Sequence, residues 1–190
     1  NVVSSLRALG SKARIIVLAR YKFQGDFAKH YGADEVIYTK GLEKSKLYKK
    51  IVEMTGGEVL KPVLGKPVVV GGADIVFECV GSDDSIDDAL RLTKQGGKTV
   101  FVGLVGITKK VDWTFVWFKE LKVAGTNSSS GEIFRGERKR GYEIALTLMK
   151  EGLDLSPLLT LTFKLDEYKK AIQMNFLRGK YGLVKTAFVF

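Results

Sequence analysis

The 190-residue sequence is poor in the residues that cross-link small domains or bind metals, with one cysteine, one histidine and three prolines. The lone Cys79 excludes a disulfide framework and favours a reducing, cytoplasmic location. His30 and Cys79 alone cannot supply the cluster of ligands that a zinc site needs, so His30 is interpreted as a helix-surface residue and no metal site is expected in this chain. Apolar runs stay shorter than the roughly 18 residues of a membrane span, and the first residues do not resemble a signal peptide.

Lysine and arginine outnumber aspartate and glutamate by 31 to 21, which gives a formal net charge of +10. Such a chain could bind nucleic acid, a membrane surface or an anionic small molecule. The excess charge is spread along the sequence, and its local clusters, at residues 44–50 and 136–141, fall on predicted helices or at their starts. A solvated helix face accounts for both clusters, so neither nucleic acid nor a membrane is expected as a partner.

Residues 71–106 are the most informative stretch, because they are typical of one parallel β-α-β unit. Residues 73–80 form a nearly continuous apolar run, which is typical of a strand buried on both faces. Ser82 then caps a predicted helix. A second buried strand follows at residues 99–102.

Each strand of this unit is followed by a glycine, Gly81 or Gly103, which lets a flat ligand approach the backbone at the carboxyl edge of the sheet. The rest of the sequence alternates strand and helix patterns in the same way. This alternation predicts an α/β fold with a Rossmann-like, doubly wound parallel sheet. The sequence lacks the first strand of such a sheet and its G-x-G-x-x-G loop, and we expect both upstream of Asn1.

Further elements are predicted from periodicity and turn residues. The predicted helices cover residues 1–10, 26–31, 42–55, 113–118, 138–150 and 166–178, and the predicted strands cover residues 15–19, 35–38, 121–124, 159–163 and 183–189. Residues 56–72 interrupt the pattern with two of the three prolines and are interpreted as an insertion that could fold as a β-hairpin.

Several segments resemble the medium-chain, zinc-type alcohol dehydrogenase superfamily. In order, they are LGSKARIIVLARYKFQGDFAKHYGADEVI, GGADIVFECVGS, GGKTVFVGLVG, WTFVWFKELKVAGT, LDEYKKAIQ and KYGLVKTAF. No single motif is diagnostic, but the ordered set at these spacings is a strong indication. The resemblance covers almost the whole chain, and only the insertion lacks a usual counterpart.

The resemblance implies hydride transfer between NAD(P)H and an alcohol or carbonyl carbon, with zinc polarising the substrate oxygen in most members. In the family the zinc ligands lie in an amino-terminal catalytic domain that this sequence does not contain, so zinc is expected only there. Residues 1–125 then correspond to an incomplete NAD(P)-binding Rossmann-like domain, and residues 126–190 to a C-terminal segment that packs onto the catalytic domain. We therefore expect the chain to be inactive in isolation.

The resemblance also assigns the cofactor site. At the end of the second family strand an acidic residue would select NAD, but this sequence has Ala19, followed by Arg20, Tyr21 and Lys22. A guanidinium can hold a 2′-phosphate and stack on adenine, which favours NADP over NAD, although surface cations after a strand are common. The other residues matched to cofactor contacts are Cys79, Val80, Gly81, Val102, Gly103, Leu104, Ser128 and Lys185.

Several of these residues also fit structural roles. Cys79 is interpreted as a small buried hydrophobe, Val80 and Val102 fit core packing, and the resemblance makes Glu78 structural rather than catalytic. The strand at residues 121–124 matches the edge through which family members dimerise, so a homodimer is expected.

Other functions fit parts of the pattern. A non-catalytic dimerising module with weak or no nucleotide binding, another Rossmann-like enzyme such as a methyltransferase, and a zinc-free quinone-reductase-like relative remain as alternatives. The segments LDEYKKAIQ and GLVKTAF count against a methyltransferase.

Overall fold

The computed structural model describes residues 1–61, 65–127 and 130–190. The helices are α1 (Val2–Ala8), α2 (Lys22–His30), α3 (Lys44–Thr55), α4 (Asp83–Leu92), α5 (Thr114–Phe118), α6 (Gly141–Lys150), α7 (Tyr168–Phe176) and α8 (Arg178–Tyr181). The strands are β1 (Ile16–Ala19), β2 (Glu35–Tyr38), β3 (Gly57–Leu60), β4 (Val68–Gly71), β5 (Ala73–Glu78), β6 (Thr93–Phe101), β7 (Lys122–Gly125), β8 (Gly131–Phe134), β9 (Glu137–Arg140), β10 (Leu159–Lys164) and β11 (Lys185–Val189). None of the described helices has the length and apolar character to cross a membrane.

The chain divides into two compact units, one of residues 42–141 and one of residues 1–41 together with 142–190. The predicted boundary at residues 125 and 126, between the nucleotide-binding domain and the C-terminal segment, stays a prediction.

The cytoplasmic location also stays a prediction.

The unit of residues 42–141 is built on a parallel sheet in the order β5-β6-β7. Val76 of β5 lies opposite Thr99 of β6, which lies opposite Val123 of β7. Helix α4 connects β5 to β6, and the Ser82 side chain caps it by accepting the amide hydrogen of Ser85 at 3.3 Å. The predicted β-α-β unit is therefore confirmed, and because its strands are parallel neighbours, their carboxyl ends meet at one edge of the sheet.

Helix α4 packs its apolar face into the core of this unit. Ile86 and Leu90 are fully buried and cluster with Phe115 of α5 and Leu121. This apolar side of α4 is therefore its core-facing side.

The same helix also buries charged side chains. Asp87 is 1% exposed and accepts hydrogen bonds from Arg91 Nε at 2.9 Å and Lys66 Nζ at 2.9 Å. The backbone N–H of Asp112 donates to its other oxygen at 3.0 Å. Buried charges are tolerated when they are paired in this way. The Asp87 carboxylate therefore ties the insertion, α4 and the segment before α5 together.

Two more buried polar groups in this unit have shifted pKa values. Burial, followed by the charge of Asp88, raises the pKa of Tyr48, whose hydroxyl donates to Asp88 at 2.8 Å. Burial, followed by the charge of Arg91, lowers the pKa of Lys119 to about 8. Lys119 Nζ donates to the carbonyls of Arg91 at 2.6 Å and Thr93 at 2.8 Å, so it fastens the carboxyl end of α4 to the end of α5.

Strand β5 is shorter and more exposed than the sequence predicts. It ends at Glu78 rather than at residue 80, and Ile75 and Phe77 are 51% and 37% exposed. Within the described ranges, β5 pairs with β6 alone. The prediction of a strand buried on both faces is therefore wrong, because an apolar run identifies a strand, whereas its burial depends on elements that cover both faces.

The described residues of the insertion, 56–61 and 65–72, contain the predicted pair of hairpin strands. Strands β3 and β4 pair antiparallel, with Gly57 opposite Gly71 and Leu60 opposite Val68. Val69 is fully buried, so the hairpin contributes to the core of its unit.

A second hairpin replaces the start of a predicted helix. Strands β8 and β9 pair antiparallel around Arg135 and Gly136, which have φ values of 53° and 85°. Two consecutive residues with positive φ are typical of the tight turns that join antiparallel strands. The prediction that residues 138–140 begin a helix is therefore wrong, and α6 starts at Gly141.

The other unit contains two separate parallel strand pairs. In the first, Ile16 of β1 lies opposite Glu35 of β2, which confirms the predicted strands, although Leu18 is exposed. In the second, Phe163 of β10 lies opposite Phe188 of β11, which confirms the strands predicted in the last third of the chain.

The helices of this unit differ from prediction at their ends. Helix α2 begins at Lys22, and the Gln24 side chain accepts the N–H groups of Arg20 and Tyr21 just before it. The helix predicted at residues 166–178 is divided into α7 and α8 at Leu177.

Candidate functional site

In the unit of residues 42–141, the candidate site consists of the turns that follow β5 and β6, at residues 79–81 and 102–104. We refer to these two turns as the turn pair. Gly81 has φ +84°, and a Cβ atom on it would lie 2.3 Å from the carbonyl oxygen of Leu104. A Cβ atom on Gly103 would lie 2.6 Å from the backbone nitrogen of Gly81. The glycines at the strand ends are therefore required by the contact between the turns themselves.

Glu78 is a buried residue that forms hydrogen bonds to both turns. It is 3% exposed, and its Oε1 accepts the N–H groups of Val80 at 2.8 Å and Gly81 at 2.9 Å. Its backbone carbonyl accepts the N–H groups of Val102 at 2.8 Å and Gly103 at 3.0 Å. One residue thus holds four backbone groups of the turn pair, which agrees with the prediction that Glu78 is structural.

The turn pair presents apolar side chains to its surroundings. Val80 is 71% exposed and Leu104 is 97% exposed, and Val102 is also exposed. The interpretation of Val80 and Val102 as core residues is therefore wrong for the described chain. Exposed apolar side chains above glycine turns form a surface that can contact a flat, uncharged ring.

Cys79 lies beside this surface rather than inside a strand. It follows β5 and is exposed, so its interpretation as a small buried hydrophobe is wrong. Desolvation of the sulfur, followed by the charge of Glu78, raises the pKa of the Cys79 thiol. A raised pKa lowers the fraction of nucleophilic thiolate, so Cys79 is not poised as a nucleophile.

In the other unit, the residues matched to cofactor choice lie where predicted, at the end of β1. Ala19 is buried as the last residue of the strand, and Arg20 is exposed with its guanidinium 5.8 Å from the centre of the Tyr21 ring. Lys22 donates to both carboxylate oxygens of Asp26 at 2.8 Å. Both cations are therefore exposed, but Lys22 is paired with Asp26 within α2, whereas the Arg20 guanidinium lies beside the Tyr21 ring.

The last two predicted contacts have different outcomes. Lys185 is exposed at the start of β11, where its backbone carbonyl accepts the Thr160 hydroxyl at 3.0 Å. Ser128 lies outside the described residues.

Metal ligands are not assembled in the part of the chain that the structure describes, where no group of three or more His, Cys, Asp or Glu side chains could hold an ion. His30 ends α2, and its ring contacts the Tyr31 ring edge-on at a centroid distance of 4.8 Å.

The sequence did not predict the hydrogen bonds that attach residues 109–112, after the turn pair, to carboxylates of α4. Asp83 accepts the backbone N–H groups of Lys109 at 3.0 Å and Lys110 at 2.9 Å, and Asp87 accepts that of Asp112. The run of aspartates at the start of α4 was the available signal, because carboxylates there can serve neighbouring backbone amides as well as the helix dipole.

A family model described as zinc-binding dehydrogenase matches residues 1–140. An L-threonine 3-dehydrogenase from Paraburkholderia phytofirmans is 30% identical over 162 residues, which are 83% of this chain and 45% of that relative. The chain therefore spans about half the length of the curated relatives it matches.

Solved structures share the fold. The 2R,3R-butanediol dehydrogenase of Bacillus subtilis aligns with a TM-score of 0.71 at 22% identity, over 97% of this chain and 46% of that chain. A Sinorhizobium meliloti protein described as a zinc-binding dehydrogenase, bound to NADP, aligns with a TM-score of 0.62 at 21% identity. The alignment covers 90% of this chain and 44% of that chain. A short chain alcohol dehydrogenase from Escherichia coli CFT073, complexed with NADH, aligns with a TM-score of 0.68 at 20% identity. The alignment covers 100% of this chain and 48% of that chain. Together with the parallel sheet, these likenesses confirm the predicted Rossmann-like α/β fold.

Proposed function

Because the chain belongs to the zinc-binding dehydrogenase family, we propose that it is the nucleotide-binding part of an NAD(P)-dependent, alcohol dehydrogenase-like oxidoreductase. The whole oxidoreductase would transfer a hydride between NADP(H) and a small-molecule alcohol or carbonyl compound. The observation that carries the proposal is the turn pair, where two glycine turns and exposed apolar side chains lie at the carboxyl edge of a parallel sheet. In open α/β sheets this edge is where ligands bind.

Each part of the turn pair has a role in this proposal. The first turn, Cys79, Val80 and Gly81, would line the ribose side of the nucleotide, and the second, Val102, Gly103 and Leu104, would lie beside the nicotinamide ring. Apolar side chains exclude water from the ring and orient it, without adding charge to that part of the site.

The choice between NADP and NAD rests on the end of β1. One structural neighbour is bound to NADP and another to NADH, so both cofactors remain compatible with the fold. Ala19 offers no carboxylate for ribose hydroxyls, and the exposed Arg20 could hold a 2′-phosphate in bidentate fashion. We therefore propose NADP as the cofactor. Lys185 would contact the pyrophosphate, and Ser128 the nicotinamide carboxamide.

This assignment is tested by titrating the chain with NADPH and NADH and following the fluorescence of the reduced nicotinamide. We expect NADPH to bind more tightly. Arg20→Ala should weaken NADPH binding by about 10- to 100-fold, the cost of losing hydrogen bonds to a charged group, and leave NADH binding unchanged.

Lys22→Ala is the matched control, because Lys22 is a neighbouring cation already engaged by Asp26. It should change NADPH binding much less than Arg20→Ala does. Tighter binding of NADH than NADPH by the unmodified chain would contradict the choice of NADP.

Zinc chemistry is not assigned to this chain, because its described residues do not form a group that fits the ion. The residues that would act on the substrate are likewise proposed to lie in a catalytic domain outside this sequence. Binding of NADPH without turnover is therefore the expected behaviour of the isolated chain.

We further propose a homodimer through β7. Within the described ranges, β7 pairs with β6 along one edge alone, and an open strand edge can pair with a second copy. Sedimentation equilibrium at micromolar concentration should give twice the mass of the chain, and a monomer would contradict this proposal. A dimer that fails to bind NADPH would instead favour the non-catalytic dimerising module.

A further inference from the structure

We propose that Glu78 is the positioning residue of the nucleotide site, which holds the turn pair in the arrangement that leaves a flat, uncharged surface for the cofactor. This inference rests on the proposed function for its link to the cofactor. The arrangement of the turns can be tested without any ligand.

The Glu78 carboxylate occupies a concavity lined by backbone N–H groups of the first turn. Its Oε1 accepts the N–H groups of Val80 and Gly81, and its Oε2 accepts that of Gly81 at 3.1 Å. Successive backbone N–H groups that point into one concavity form a site that attracts anions. Here the chain fills that concavity with its own carboxylate, so these N–H groups are not available to a phosphate of the cofactor.

The two turns also fit closely around this carboxylate. A Cβ atom on Gly103 would lie 2.8 Å from Glu78 Oε2 and 2.8 Å from the Val80 nitrogen. The carboxylate is therefore in contact with both turns, and its position sets their separation. A side chain that filled the same volume without accepting hydrogen bonds would leave two partly buried backbone N–H groups without their carboxylate partner, which carries a free-energy cost.

The consequence concerns which part of a nucleotide the turn pair can accept. With four of its N–H groups bonded to Glu78, the surface offers backbone atoms and the side chains of Val80, Val102 and Leu104. Such a surface suits an uncharged ring and its ribose, whereas the charged parts of the cofactor need cations elsewhere in the chain. Glu78 thus acts through the turns and does not itself touch the ligand.

The test compares Glu78→Gln with Glu78→Met in the full chain. Glutamine keeps an oxygen at the Oε1 position for Val80 and Gly81, whereas methionine has a similar volume and accepts no strong hydrogen bond. Amide hydrogen exchange of Val80 and Gly81 is measured by NMR, and NADPH binding is measured at a temperature where every variant is folded. Glu58→Gln, at an exposed glutamate of β3, is the control and should match the unmodified chain.

We expect Glu78→Met to accelerate exchange at both amides and to weaken NADPH binding, each by about tenfold or more, the factor that corresponds to a lost hydrogen bond to a charged group. In Glu78→Gln, both the amide exchange rates and the NADPH affinity should stay close to those of the unmodified chain. Equal behaviour of the two variants would overturn the inference, because it would reduce Glu78 to a packing role.

Two further outcomes keep the inference separate from the proposed function. If the unmodified chain does not bind NADPH, the proposed function fails, while the exchange rates still decide the role of Glu78. If Glu78→Met does not fold, amide hydrogen exchange in the unmodified chain tests the inference instead. Fast, unprotected exchange at Val80 and Gly81 would overturn it.

Discussion

Replacing Asp87 by asparagine is expected to lower the free energy of unfolding of the unit of residues 42–141 by about 3–5 kcal/mol. The substitution keeps the shape of the side chain but removes the charge that faces Arg91 and Lys66, at 2.9 Å each. Arg91 is 3% exposed, so its guanidinium would stay buried with a neutral amide in place of the Asp87 charge, and only its pair with the half-exposed Asp112 carboxylate, at 3.1 Å, would be left among the described ion pairs. The loss is a large fraction of the roughly 5–15 kcal/mol that stabilises an ordinary domain.

Urea denaturation followed by tryptophan fluorescence measures this effect, because Trp113 and Trp117 both lie in that unit. Asp84→Asn is the matched control, since Asp84 lies on the same helix but is largely exposed and sits 3.7 Å from Lys66. It should cost less than about 1 kcal/mol. A change of similar size in both variants would show that the buried network is not the cause.

The same carboxylate predicts a dependence of stability on pH. Burial alone would raise the pKa of Asp87, but the hydrogen bonds from Arg91, Lys66 and the Asp112 amide outweigh it, so the pKa is lowered overall. A lowered pKa in the folded state means that the stabilisation is complete above about pH 4, the ordinary value for aspartate, and is lost as the pH falls further. The difference in stability between the unmodified chain and Asp87→Asn should therefore be constant from pH 7 to 5 and shrink below pH 4.

Gly81→Ala is expected to abolish most nucleotide binding, with at least a tenfold rise in the NADPH dissociation constant, about 1.4 kcal/mol. The new Cβ atom would meet backbone atoms of Leu104 at 2.3 and 2.7 Å, and backbone cannot move aside as a flexible side chain does. The two turns must then separate. The positive φ of +84° adds strain of about 1–3 kcal/mol.

Two alanine variants in the same unit separate these causes. Gly96 has φ +69° and open space around it, so Gly96→Ala should show the backbone strain without any loss of nucleotide affinity. Gly106 has open space and no positive φ, so Gly106→Ala should change neither property. NADPH titration and urea denaturation of the three variants give both quantities. If Gly96→Ala loses as much affinity as Gly81→Ala, the turn pair is not the binding surface.

The amino-acid sequence by itself determined the elements whose causes are local. The strands around α4 were predicted from apolar runs, and the cap of α4 from Ser82, because a capping side chain needs only residues within one turn of helix. The paired strands of the insertion were predicted because they lie close together in the chain. The family was predicted from the order of several such segments.

The tertiary structure alone decided how these elements are used. Asp87 and Arg91 have a spacing typical of an exposed ion pair on a helix, yet both are buried because the insertion and the segment before α5 cover them. Cys79 follows an apolar run, yet it is exposed. Periodicity along the chain states which side chains share a face, but only residues distant in sequence determine whether that face is covered, and with what.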